Sequence, residues 1–200
     1  KPGNYQYLQN IKEIINIDEK YFFSHLKNKD RDRELLDKLL EVIAKDNNQF
    51  IVVIKNGSHF PYFDKFDLKK FNLDKNSDAN LIYTYSIKEN SINFLKDLLS
   101  KLKKDSDIIY LSDHGQLLKK KKLSHCNSNN PEIQEWEIPL LYYKNNKNRP
   151  LNVNSNLYLY DFIINKMGYS NEINLNRENK LFYGNLNKRL NKQTKFITLK

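Results

Sequence analysis

Ile108-Ile109-Tyr110-Leu111-Ser112-Asp113-His114-Gly115 is a short apolar run that opens into a polar turn. Its first four residues carry no polar alternation, and such continuity predicts a strand buried on both faces, as in a parallel sheet. Upstream, Phe50-Ile51-Val52-Val53-Ile54 repeats the pattern and leads into Asn56-Gly57-Ser58-His59. Downstream, Ile138-Pro139-Leu140-Leu141-Tyr142-Tyr143 predicts a third strand, with Pro139 near its start or at an edge.

Helical patterns fill the intervals. From Arg33 to Lys45, Leu35, Leu36, Leu39, Leu40 and Ile43 recur at helical spacing, with Asp32 as the expected N-cap. Residues 82–102 predict a second helix, with Ile87, Phe94, Leu95, Leu98, Leu99 and Leu102 on one side. Residues 156–167 predict a third, capped by Ser155 and ended by Gly168. Lys55 to Asp78 reads as a long loop rich in Phe, Asp, Lys and Asn, and the basic tail from Leu181 as one or two short strands. Alternating helices and strands predict an α/β fold with helices on the faces of a largely parallel sheet. No internal repeat or sharp change of composition divides the chain, so a single domain over residues 1–200 is expected.

A content of 39% hydrophobic and 12% aromatic residues supports a packed core. The 34 Lys and Arg outweigh 24 acidic residues, and a net charge of +10 attracts anions: phosphorylated substrates, anionic lipid or nucleic acid. The aromatic residues are spread through the expected core segments instead of clustering with the basic ones, so nucleic acid is not an expected partner. Cys126 is the only cysteine, which excludes an internal disulfide and a cysteine-based zinc knuckle. No run of about 18 apolar residues is present, so no segment is expected to span a bilayer. The opening Lys1-Pro2-Gly3 suggests a piece of something longer.

In open α/β sheets, ligands collect where strands run into loops at their C-terminal ends. His59 follows one apolar run, Asp113 and His114 follow another, and His125 lies in the adjoining loop. Asp oxygens and His nitrogens are good ligands for Zn²⁺ or Mn²⁺. Gly115 is expected to permit the sharp turn that lets Asp113 and His114 reach one ion. His59 and His125 can complete the coordination or donate hydrogen bonds to a phosphate oxygen. A lone Asp-His pair is more commonly a solvated turn, and the residues by themselves leave both readings open.

FIVVIKNGSHFPY (Phe50 to Tyr62) resembles the segment of phosphoethanolamine transferases in which a strand enters Gly-Ser-His-x-Pro-x-Tyr. IIYLSDHGQ (Ile108 to Gln116) resembles their Tyr-x-Ser-Asp-His-Gly-Glu, and His125 falls near the spacing of a later family histidine. EIPLLYY and NSNLYLYDFIINKMG are similar to the strand and late helix that follow. Together these segments cover about Asp32 to Gly168 in order. The resemblance implies the alkaline-phosphatase and sulfatase superfamily, with an α/β/α sandwich around a largely parallel sheet. It implies Asp113 and His114 as zinc ligands, and His59 and His125 as contacts for the substrate phosphate or a second zinc. The implied activity moves phosphoethanolamine from phosphatidylethanolamine, through a threonine, to lipid A or another glycan. The implied location is the periplasmic face of the bacterial inner membrane, below an N-terminal membrane region.

The chain departs from that pattern. Thr84, Thr194 and Thr198 are its only threonines, and none occupies the nucleophile's place. No counterpart of a further acidic zinc ligand is found before Asp32. Gln116 stands where the family has Glu, and the family's several disulfides have no equivalent here. The expectation is the C-terminal part of a transferase domain, inactive by itself. Two alternatives stand beside it: a sulfatase-like or phosphodiesterase-like hydrolase, and a non-catalytic remnant binding anionic lipid or nucleic acid through its basic surface. Lys119-Lys120-Lys121-Lys122 belongs to that surface, either steering anionic lipid or forming a solvated loop.

Overall fold

Leucines at helical spacing bury one face of the first described helix. α1 spans Asn28–Ile43, and Leu36 and Leu39 lie in the core as their spacing predicts. The computed structural model describes residues 25–45, 48–102, 106–119, 125, 132–145, 147–149, 156–169, 180–183 and 195–198. It divides into two compact units, Lys1–Lys104 and Asp105–Lys200.

In the first unit, α1 starts before the expected Arg33, so Asp32 sits inside the helix and does not cap it. Lys27 holds the N-cap position and makes no side-chain cap bond. α2 (Ala79–Ile87) has a true cap: the Asp78 carboxylate accepts the Asn80 and Leu81 amides at 3.0 Å each. A π-helical turn, Lys88–Asn93, joins α2 to α3 (Phe94–Lys101). The long helix expected from Ile82 to Leu102 is therefore present with one wide turn inside it. α3 buries Phe94, Leu95 and Leu98, and packs against α1.

The segment expected as a plain loop after Lys55 forms a core of its own. Tyr62–Asp64 and Leu68–Phe71 are single 3₁₀ turns. Tyr62 and Phe66 pack with Ile82 of α2, flanked by Phe63, Leu68, Phe71, Leu73, Tyr83 and Tyr85. The ring centroids of Tyr62 and Tyr83 are 4.8 Å apart, and those of Phe71 and Tyr85 4.4 Å.

Phe50–Ile54 corrects the sequence reading. It forms no strand among the described residues, and Phe50 and Val52 are 61% and 68% exposed. β-branched composition favours a pleated conformation, but a strand exists only through a partner's hydrogen bonds. No described residue supplies that partner.

In the second unit, β1 (Asp107–Leu111) pairs antiparallel with β2 (Leu140–Lys144), placing Ile109 opposite Tyr142. β2 turns through Asn145, at φ 53°, into β3 (Lys147–Arg149), also antiparallel. β1 is a strand as expected, but half-buried, with Leu111 37% exposed. Among the described residues it stands at the edge of the order β1-β2-β3. Pro139 lies just before β2, where its missing N–H costs no ladder bond. α4 (Asn156–Lys166) buries Leu159 and sets Phe162 edge-on to Tyr142 at 5.2 Å. Gly168, at φ 84°, ends the helix, with its amide on Asn165 O at 3.1 Å. Ser155, the expected cap, lies outside the described residues.

β4 (Lys180–Tyr183) and β5 (Lys195–Thr198) form a separate antiparallel pair, as expected of the tail. Every pairing among the described residues is antiparallel, so the expected parallel central sheet is not shown. Among the described residues, no helix is long and apolar enough to cross a membrane.

Candidate metal and phosphate site

β1 delivers Ser112, Asp113, His114 and Gly115 in sequence, and two local devices shape the turn. Ser112 Oγ donates to His114 O at 2.8 Å, and the His114 amide donates to Asp113 Oδ1 at 3.1 Å. Gly115 then passes under the 3₁₀ turn Ile133–Glu135, its amide donating to Glu135 O at 2.8 Å. A Cβ on residue 115 would overlap the Gln134 carbonyl oxygen and come within 2.7 Å of Glu137 O. Glycine is required here by close backbone approach, not by the permissive turn conformation that the sequence suggested.

The Ile133–Glu135 turn is itself fixed. Glu132 and Glu135 form a reciprocal capping box, in which the Glu132 amide donates to Glu135 Oε1 at 2.8 Å. Lys119 Nζ pairs with Glu132 Oε2, tying the start of the basic loop to the same turn. Lys120, Lys121 and Lys122 lie outside the described residues, as does Cys126.

His114 has a defined hydrogen-bonding role. Its Nδ1 lies 2.7 Å from Gly115 O, and a carbonyl only accepts, so Nδ1 carries the proton. In the neutral ring, Nε2 therefore keeps its lone pair. That nitrogen is 3.9 Å from Asp113 Oδ1, on a carboxylate that is 88% exposed. Two ligands of a tetrahedral zinc, bonded at about 2.0–2.1 Å, stand about 3.3 Å apart, so a small closure brings this pair onto one ion. A histidine that donates its other N–H to a carbonyl is the usual partner of such an ion. Asp113 and His114 thus suit a metal as two of its ligands. His125 stacks on His114 with ring centroids 4.0 Å apart and planes at 34°. Among the described residues, no group of three or more His, Cys, Asp or Glu is placed to hold an ion.

In the first unit, His59 is exposed, and its Nδ1 donates to Phe60 O at 2.6 Å. The preceding Gly57 sits at φ 56°, a conformation that favours glycine. Ser58 Oγ is buried and has no hydrogen-bond partner among the described residues. Beneath this turn lies a group the sequence reading missed. Asp32, buried in α1, accepts the Asn56 amide at 2.8 Å and the Gly57 amide at 2.9 Å. Lys55 Nζ stands 3.4 Å from Asp32 Oδ2, donates to Asn90 O in the π-helical turn, and lies 3.5 Å from the centre of the Phe94 ring. Burial pushes the Lys55 pKa down, against the opposing pull of Asp32. The only sequence signal was a lysine at the end of an apolar run, matched to an acid within a helix.

The structure thus brings together Asp113, His114 and His125 in one unit and sets His59 on an ordered turn in the other. Thr84 makes an ordinary helix contact, donating to Asn80 O at 2.8 Å. Neither curated proteins nor solved structures give a match to this chain. The family model Sulfatase matches residues 2–169, a span that includes every one of these site residues. Domains of that kind are metal-dependent and have an α/β fold with which the helices and strands here are consistent. With most of its length matched, the chain belongs to the Sulfatase family, within the alkaline-phosphatase and sulfatase superfamily of hydrolases and transferases.

Proposed function

We propose that this chain forms part of a zinc-dependent phosphoethanolamine transferase. It would take the group from phosphatidylethanolamine to lipid A or another envelope glycan, at the periplasmic face of a bacterial inner membrane. The observation that carries the metal assignment is the His114 hydrogen bond to Gly115 O, which leaves Nε2 with its lone pair beside the Asp113 carboxylate. The order of Gly-Ser-His and Ser-Asp-His-Gly along the chain supports the transferase branch.

In this reading Asp113 and His114 hold the ion, which as a Lewis acid would neutralise charge growing on the phosphoryl group. The chain's own residues bind and orient. Gly115 O fixes the His114 tautomer, and the stacked His125 ring is a second imidazole for the substrate phosphate or a second zinc. Ser58 Oγ, buried without a partner among the described residues, is a hydroxyl with a proton to give to a phosphate oxygen. His59 Nδ1 donates to Phe60 O, and its exposed ring is the imidazole set against the substrate phosphate. No threonine of this chain is assigned as nucleophile.

Zinc titration of the whole chain tests the metal assignment. Binding is expected to fall at least tenfold in the Asp113→Ala/His114→Ala double variant, the loss expected when ligands are removed. Unchanged binding would overturn the assignment. A second reading, hydrolysis of sulfate esters or phosphodiesters, is favoured by the name of the matching family. Release of ethanolamine phosphate, as against sulfate, from model esters decides between them.

A further inference from the structure

Asp32 and Lys55 are buried and charged, and neither has been given a part in the chemistry. Three features of their surroundings point to a shared task. The Asp32 carboxylate accepts two consecutive loop amides, Asn56 at 2.8 Å and Gly57 at 2.9 Å, from inside α1. Lys55 belongs to the same loop and returns to Asp32 at 3.4 Å, so one carboxylate grips three successive residues. The wide π-helical turn leaves Asn90 O available to Lys55 Nζ, and Phe94 closes the cage with its ring face. Asn56 Nδ2 adds a bond to Asn28 O at 3.3 Å, again on α1.

A surface turn of a merely structural kind does not need this much buried charge. At the end of the grip Gly57 takes a left-handed conformation; just beyond it Ser58 buries a hydroxyl without a partner among the described residues, and His59 emerges exposed. A buried hydroxyl left unpartnered is unfavourable in isolation, and something must hold it in place. We infer that Asp32, braced by a Lys55 that Asn90 O holds in turn, is a positioning residue that sets the Ser58-His59 turn for contact with a phosphate oxygen. The role in phosphate contact rests on the function proposed above. The grip itself does not.

Amide exchange and histidine ring spectra of the whole chain test the two parts separately. In the wild-type protein, the Asn56 and Gly57 amides are expected to exchange at least tenfold slower than in an unstructured peptide, as closed hydrogen bonds do. Exchange at the free rate would overturn the inference without any variant. Asp32→Asn keeps the side-chain size but turns an NH₂ group toward one of the two amides. It is expected to speed exchange at both positions and to shift the His59 ring signal. Lys55→Met leaves both acceptor oxygens in place and is expected to keep most of the protection. A folded Asp32→Asn protein with unchanged exchange and an unchanged His59 signal would overturn the inference. Inorganic phosphate is expected to move the His59 signal in the wild type and to need at least about tenfold more in Asp32→Asn, where the turn no longer holds its groups in position. No phosphate response in the wild type would sink the phosphate role of His59, and the exchange rates would still judge the grip.

Discussion

Two segments of this chain look alike in sequence and are held in different ways. Phe50–Ile54 and Ile108–Leu111 are both apolar runs that end in a turn carrying Gly and His. The second pairs with β2 through five registered residues. The first pairs with nothing described and leaves Phe50 and Val52 largely exposed. Yet both turns are ordered. The turn after β1 is held from outside by backbone, with Gly115 pressed against the Gln134–Glu137 segment. The turn after Phe50–Ile54 is held from beneath by a buried carboxylate. Apolar continuity therefore predicts neither the pairing of a segment nor the means by which its loop is fixed.

Removing each device should separate the two cases. Asp32→Ala is expected to have the largest effect, because it strands the buried Lys55 ammonium and frees two amides. Breaking a buried pair of this kind costs about 3–5 kcal/mol, readable by chemical denaturation. A cost below about 1 kcal/mol, the range of exposed pairs, would show that the grip is solvated and not part of the core. Gly115→Ala comes next. Its methyl meets backbone atoms, which cannot rotate away, and overpacking of this sort costs about 1–3 kcal/mol. It should also weaken zinc binding, since Gly115 O is the acceptor that fixes His114. Gly57→Ala is milder. Nothing lies within 4 Å of the added methyl, so only the left-handed backbone is penalised, at about 1–2 kcal/mol.

Much of the fold was legible because it rests on local periodicity. Leu36 and Leu39 bury the face their spacing predicts, and Phe94, Leu95 and Leu98 do so in α3. β1, β2, α4 and the tail strands also fall where the pattern places them. What was not legible depends on contacts distant in sequence. Antiparallel pairing of β1 with β2 is set by which strand arrives beside it, and apolar continuity carries no sign of direction. The aromatic core of Tyr62 and Phe66 was read as loop because its phenylalanines follow neither period. Of the candidate site, Asp113, His114 and His125 were visible as residue types that suit a metal, and the contact of His114 with His125 was not. Asp32 was read as a cap because Asp is common there. Its partners at Asn56 and Gly57 are 24 and 25 residues away, beyond any local pattern.

The smallest expected effect concerns the charge in the cage and is the most selective. Burial holds the folded-state pKa of Lys55 below its ordinary 10.5, with Asp32 resisting the shift. As pH rises between the folded value and 10.5, the folded chain gives up this proton before the unfolded chain does. The unfolded state then binds more protons, so the Lys55 contribution to stability rises with pH across that window and is constant below it. The unfavourable burial of charge is present in full at lower pH, where the Asp32 carboxylate, Asn90 O and the Phe94 face offset part of it. Lys55→Met should remove this rise while leaving the amides on Asp32, a result that denaturation at stepped alkaline pH would record. Among the described residues, the turn after β1 has no buried lysine in an equivalent place, since Lys119, the basic residue tied to it, is exposed. Gly115→Ala should therefore lower stability by a similar amount at each pH in that window. If wild type and Lys55→Met follow parallel curves instead, Lys55 is hydrated in the folded state, and the grip on the His59 turn belongs to Asp32 alone.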